Sequence, residues 1–152
     1  MLHQLPAVVE IDDGIRDTPL DQQDIAPPGR PQPQRFLDLY KLDDIRLPPT
    51  FHDRMLDRPA LYRRTRRRFD QLSEREHREA IRHYLAFCSY EDALFGEVLA
   101  ALEASGEADQ TVVLYTSDHG DYLGDHGLWC KGLPCFQAAY HIPAIVRWPR
   151  GQ

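Results

Sequence analysis

Between Thr116 and Gly132 the chain reads TSDHGDYLGDHGLWCKG, which places three Asp, two His, four Gly and one Lys in a short stretch. Asp118 and His119 set a hard carboxylate oxygen beside an imidazole, two donor types that can share one divalent cation. Lys131 follows in the same stretch. A loop folding back would bring its ammonium to an anionic oxygen polarised by the same cation. That combination suits cleavage of a sulfate or phosphate ester. Spacing alone supports a structural Asx turn at Asp118 and His119 equally well, and it assigns Asp121, Asp125 and His126 chiefly to turn geometry and bracing. The glycines let the backbone turn sharply and approach a ligand closely.

The preceding run, TVVLYT over 111–116, is β-branched and aromatic. It predicts a strand buried on both faces that ends where the acids begin. In open α/β sheets ligands gather beyond the carboxyl ends of strands, the position held by Asp118 and His119. A second apolar run, IPAIVRW over 142–148, predicts a partner strand. Upstream, SERE at Ser73 predicts a capping box and the start of a long helix. Apolar residues recur at helical spacing from Ala80 to Leu102, and Gly106 is the expected stop. Cys88 lies on that stripe and is expected to be a buried, inert thiol. Residues 58–72 predict a helix after Pro59 whose arginines form a solvated face rather than a phosphate site. Residues 35–56 read as a strap whose apolar side chains need a surface to lie on. Residues 1–34, rich in Pro, Gln and Asp, read as an extended or poorly ordered arm. The fold class is therefore α/β, with a long helix packed on a small sheet in a domain spanning 35–152.

Composition limits the partners. The chain has 152 residues, 42% hydrophobic and 28% charged, which suits one globular domain. A net charge of -6 argues against general nucleic-acid binding. Cys88, Cys130 and Cys135 have neither a disulfide-framework nor a zinc-ribbon spacing. The N-terminus lacks a basic region followed by a long apolar stretch, so the chain is expected to be soluble and cytoplasmic, without a membrane partner.

Residues 111–151 resemble the metal-ligand segment of type I sulfatases and the similar phosphonate monoester hydrolases of the alkaline phosphatase superfamily. The strand, the S-D-H-G-D core, the G-D-H-G turn, the Lys after L-W and the later I-P-x-I-x-R-W-P occur in the family's order. The helix end over 84–106 is also similar, extending the likeness to roughly 35–151. The resemblance implies a partial alkaline-phosphatase-like sandwich, a divalent metal cofactor (calcium, manganese or zinc) and a small anionic ester substrate. It makes Asp118 a metal ligand. His119 stands where many arylsulfatases have Asn and the phosphonate monoester hydrolase branch has His, which implies a second ligand and tilts the substrate toward that branch. Lys131 matches the Lys that contacts the sulfuryl or phosphoryl oxygens. His141, just before Ile142-Pro143, is read as a brace rather than a catalytic group.

One family feature is missing. The formylglycine nucleophile arises from C-x-P-x-R or S-x-P-x-R, and no such stretch occurs among the 152 residues. The family's acidic pair and upstream substrate-binding His also have no counterpart before Arg35. The chain therefore reads as an internal fragment of a sulfatase-type hydrolase, inactive alone, with a missing N-terminal half as its partner. The alternative is a non-catalytic remnant or interaction module whose sheet edges are free to pair with another chain.

Overall fold

The computed structural model describes residues 33–149. The arm expected over 1–34 lies outside the described residues except for Pro33 and Gln34. The elements run in chain order as α1 (Gln34–Leu37), α2 (Ala60–Arg66), α3 (Glu74–Ser105), β1 (Val113–Thr116), α4 (Gln137–Tyr140) and β2 (Ala144–Arg147). The architecture is mixed helix and small antiparallel sheet, as the α/β expectation required.

Helix α3 dominates, and its ends follow the sequence signals. The Ser73 hydroxyl accepts from the Glu76 N–H while the Glu76 carboxylate accepts from the Ser73 N–H, so the capping box is complete. Gly106 closes the other end in the left-handed region, at φ 79°. The buried face differs from the expected stripe. His77, Ile81 and Ala86 are the buried residues of α3, whereas Tyr84, Phe87 and Cys88 are exposed. Burial of Cys88 was thus the wrong expectation, although local desolvation still raises its thiol pKa and keeps it protonated.

The strap lies along α3, as its composition demanded. Phe36 packs against Tyr90 at a 5.3 Å centroid distance, the Tyr40 and Ser89 hydroxyls lie 2.7 Å apart, and Arg82 donates to the Tyr40 carbonyl at 2.7 Å. Farther along, Ile45, Phe51 and Met55 are buried. Met55 then joins Tyr122, Leu128 and Ala139 in the core cluster, with Tyr62 from α2 and Phe136 packed against it. This cluster lies beneath the 116–132 loop.

The strands pair with Leu114 opposite Val146 and Tyr115 opposite Ile145. Both are shorter than the apolar runs that announced them. Neither face of β1 is sealed among the described residues, which corrects the expectation of double burial. The face toward α3 makes the Phe95–Tyr115 ring contact at 5.0 Å and the Arg147–Glu103 ion pair at 2.7 Å. A cleft of about 320 Å³ remains there, lined by Phe95, Leu99, Tyr115 and Ile145. On the opposite face Leu114 is 61% exposed and Val146 57%. Alternation puts β-branched and aromatic residues on both faces, so the sequence describes a sandwiched strand even where one layer alone is in contact.

Candidate metal and oxyanion site

The chain leaves β1 at Thr116 and turns at once. The Asp118 carboxylate accepts the His119 backbone N–H at 2.9 Å through Oδ1. The Asp118 side chain is 81% exposed. His119 Nδ1 lies 2.8 Å from the Gly120 carbonyl, which can only accept, so Nδ1 carries the proton and Nε2 keeps its lone pair. The Lys131 ammonium donates to that Nε2. Asp118 Oδ2 lies 3.5 Å from the same nitrogen. The turn therefore brings Asp118, His119 and Lys131 to one place beyond the strand.

Gly120 makes this turn possible. Its N–H donates to the Ala139 carbonyl at 2.9 Å, and a Cβ there would stand 2.4 Å from the Ala138 carbonyl oxygen. Only glycine lets the chain pass so close to α4.

The rest of the loop is held by side chains that sequence reasoning gave no role. Tyr122 is buried, and its hydroxyl reaches the carbonyls of Gly132, at 2.5 Å, and Pro134. Burial pushes its pKa up to about 12, which keeps it a donor. The Tyr140 hydroxyl donates to Gly132 at 2.9 Å. Trp129 donates its indole N–H to His77 Nδ1 at 2.8 Å. Periodicity placed neither His77 nor Tyr140 near the loop, because both contacts are tertiary.

Asp121, Asp125 and His126 take the bracing roles anticipated for them. Asp121 accepts from the backbone N–H groups of Leu123, at 2.8 Å, and Cys130, at 3.2 Å. Asp125 accepts from the Thr50 hydroxyl, whose oxygen in turn accepts the His126 N–H at 3.2 Å. His126 Nδ1 lies 2.7 Å from the Asp53 carboxylate, and its ring stacks on Phe136 at 4.0 Å. The Met55 N–H and His126 together hold the Asp53 pKa below the usual carboxylate range. His141 is exposed; its backbone N–H bonds to the Gln137 carbonyl at 2.7 Å at the end of α4, so any bracing there is by backbone. Leu123, His126 and Cys130 all have positive φ, a conformation non-glycine residues keep only where surrounding contacts enforce it.

The donor set fits a shared cation in part. Two ligands about 2.2 Å from one ion at a near-tetrahedral angle lie roughly 3.5 Å apart, which matches the Asp118–His119 separation. The Nδ1–H bond to a carbonyl is also the support that metal-bound imidazoles commonly have. Among the described residues no group of three or more His, Cys, Asp or Glu could hold a metal.

A family model described as Sulfatase matches residues 52–152. Arylsulfatase K of Danio rerio is 39% identical over 77 residues, covering 51% of this chain and 14% of that protein. The N-acetylglucosamine-6-O-sulfatase of Bacteroides thetaiotaomicron is 32% identical over 116 residues, covering 76% of this chain and 21% of that protein. A solved complex of a protein with its substrate D-glucosamine-2-N,6-O-disulfate is 32% identical, covers 60% of this chain and 19% of its own, and superposes with a TM-score of 0.45. The chain thus spans about a fifth or less of the length of these relatives. No helix among the described residues is long and apolar enough to cross a membrane.

Proposed function

Because the chain belongs to the sulfatase family, we propose that it carries the metal and oxyanion segment of a divalent-metal-dependent hydrolase that cleaves sulfate esters, or the related phosphonate and phosphate esters. The observation that supports this reading is the convergence of the Asp118 carboxylate, the His119 imidazole and the Lys131 ammonium beyond the end of β1. In this reading Asp118 and His119 hold the cation, with calcium, manganese and zinc as the candidates. When bound, that ion polarises the ester oxygen as a Lewis acid.

The chain's own residues do the rest. His119 offers a single lone pair at Nε2, so a cation held there would leave the Lys131 ammonium without that acceptor. Its three N–H donors would then be available to the non-bridging oxygens of the ester, where negative charge develops. Gly120 and the Nδ1–H bond to its carbonyl fix the imidazole plane. With no C-x-P-x-R or S-x-P-x-R stretch in the sequence, this reading takes the nucleophile from residues outside these 152, and the isolated chain turns over no ester.

Manganese titration followed by NMR tests the assignment directly. Paramagnetic broadening is expected to centre on the amides of Asp118, His119 and Gly120 at weak affinity, and to vanish in an Asp118→Ala, His119→Ala double variant. Broadening that survives in the double variant would remove the metal role. Steady hydrolysis of an aryl sulfate by the pure chain, abolished by Asp118→Ala, would overturn the assignment of the nucleophile elsewhere.

A further inference from the structure

We propose that His77, in its neutral form, is a positioning residue that holds Lys131 in place through Trp129. The inference deepens the oxyanion role proposed for Lys131 and rests on that reading for its meaning, though not for its test. His77 lies one turn into α3, is only 3% exposed, and is the one buried polar residue among those described. An imidazole in such surroundings needs a reason. Its Nδ1 accepts the Trp129 indole N–H, which can only donate, so Nδ1 is unprotonated and the other nitrogen carries the proton.

That second N–H faces the Phe69 backbone. The imidazole lies edge to edge with the indole at a 5.6 Å centroid distance, 21° from coplanar as that in-plane bond requires, and the Phe51 ring meets it near-perpendicular at 4.7 Å. Its position is thereby fixed from the strap, from the turn after α2 and from the loop at once. The charged groups around it are Arg66 from α2 and Glu74 and Glu76 from its own helix.

Trp129 stands two residues before Lys131, and everything between them is pinned. Cys130 donates its N–H to Asp121 and accepts the Tyr122 N–H at 3.0 Å. On the far side of Lys131, the Gly132 carbonyl is held by Tyr122 and Tyr140. The Lys131 side chain is exposed and, apart from its ammonium's contact with His119 Nε2, has an open arc before it. Its backbone origin is what sets that arc, and on the N-terminal side the fixed point provided by another element is His77. Glutamine at position 77 keeps an acceptor for the indole, whereas leucine keeps bulk and removes it.

The chain contains only two lysines, Lys41 and Lys131. Acetic anhydride at limiting dose, with peptide mapping of the intact chain, therefore gives a Lys131-to-Lys41 ratio in which Lys41 is an internal standard. His77→Leu is expected to raise the ratio several-fold while the helical circular dichroism stays at the wild-type level, and His77→Gln to restore it. Trp129→Phe, which keeps an aromatic ring and loses the donor, should raise it as well and carries the test if His77→Leu does not fold. A wild-type ratio in Trp129→Phe, or a His77→Gln chain that behaves as His77→Leu does, would overturn the proposal. No ester or metal enters the measurement, so failure of the hydrolase reading and failure of this one are told apart.

Discussion

The two ends of β1 are built by opposite means. Beyond Thr116 the chain enters a loop whose underside, formed by Met55, Tyr122, Leu128 and Ala139, is sealed by side chains from the strap, α2 and α4. A few residues earlier, Leu114 and its neighbour Val146 present apolar surface that nothing among the described residues covers. Irregular backbone is thus the better packed of the two, and regular backbone the worse. The site's geometry depends on contacts already made between residues 50 and 141, whereas the sheet contributes a direction and an endpoint.

The strongest way to break this contrast is to remove the same side chain from the better-packed region and from the sheet. Leu128→Ala, at a position with no exposure, should destabilise the chain by about 3 kcal/mol, the usual cost of a buried leucine with its cavity. The urea midpoint measures it, and a loss under about 1 kcal/mol would mean that the loop core is not the fold's main support.

Gly120→Ala comes next. The added methyl meets the Ala138 carbonyl oxygen, so α4 or the loop must move, at about 1–3 kcal/mol for a forced overpacking. Amide exchange should quicken at Gly120 and Ala139 while α3 is unaffected. Equal quickening in α3 would show that the loop and the helix form one cooperative unit.

Acid sharpens the comparison further. Burial lowers the His77 pKa in the fold, and the nearby Arg66 adds to that effect. The unfolded chain therefore takes up the proton first, and stability contributed by neutral His77 is lost as pH falls from the ordinary histidine range near 6.5 toward the lower folded value. In a Trp148→Phe background the Trp129 fluorescence should change over that window, and His77→Gln should flatten the change. The smallest effect belongs to the sheet. Leu114→Ala should stay within about 0.5 kcal/mol, and a larger loss in the isolated chain would show that the exposed face is covered in solution.

Legibility in the sequence followed the range of the interactions involved. The capping box at Ser73 and the stop at Gly106 depend on neighbours within a turn, and both were readable. The α/β class was readable too, and the sulfatase likeness drawn from residues 111–151 agrees with the family match. Asp118, His119 and Lys131 do meet in space, while their roles as ligands and oxyanion contact remain the proposal. Burial was read less well. Apolar pattern alone places Cys88 and the strand at 111–116 in the interior, but a pattern records what a residue tolerates, not what lies against it. His77, Tyr122 and Tyr140 had no signal at all, since their contacts, His77 to Trp129, Tyr122 to Gly132 and Pro134, and Tyr140 to Gly132, join residues that no local pattern pairs.

Thr50 and Asp53 reach Asp125 and His126 across 73 to 76 residues of intervening chain. Contacts of such separation close only after the intervening segment has been drawn in, because loop entropy must be overcome before they return any stabilisation. The capped helix α3 can nucleate from its own sequence, but the clasp between strap and loop has to wait for the chain between its halves to condense. The Asp118–Lys131 turn is therefore expected to order late, after α3 has formed.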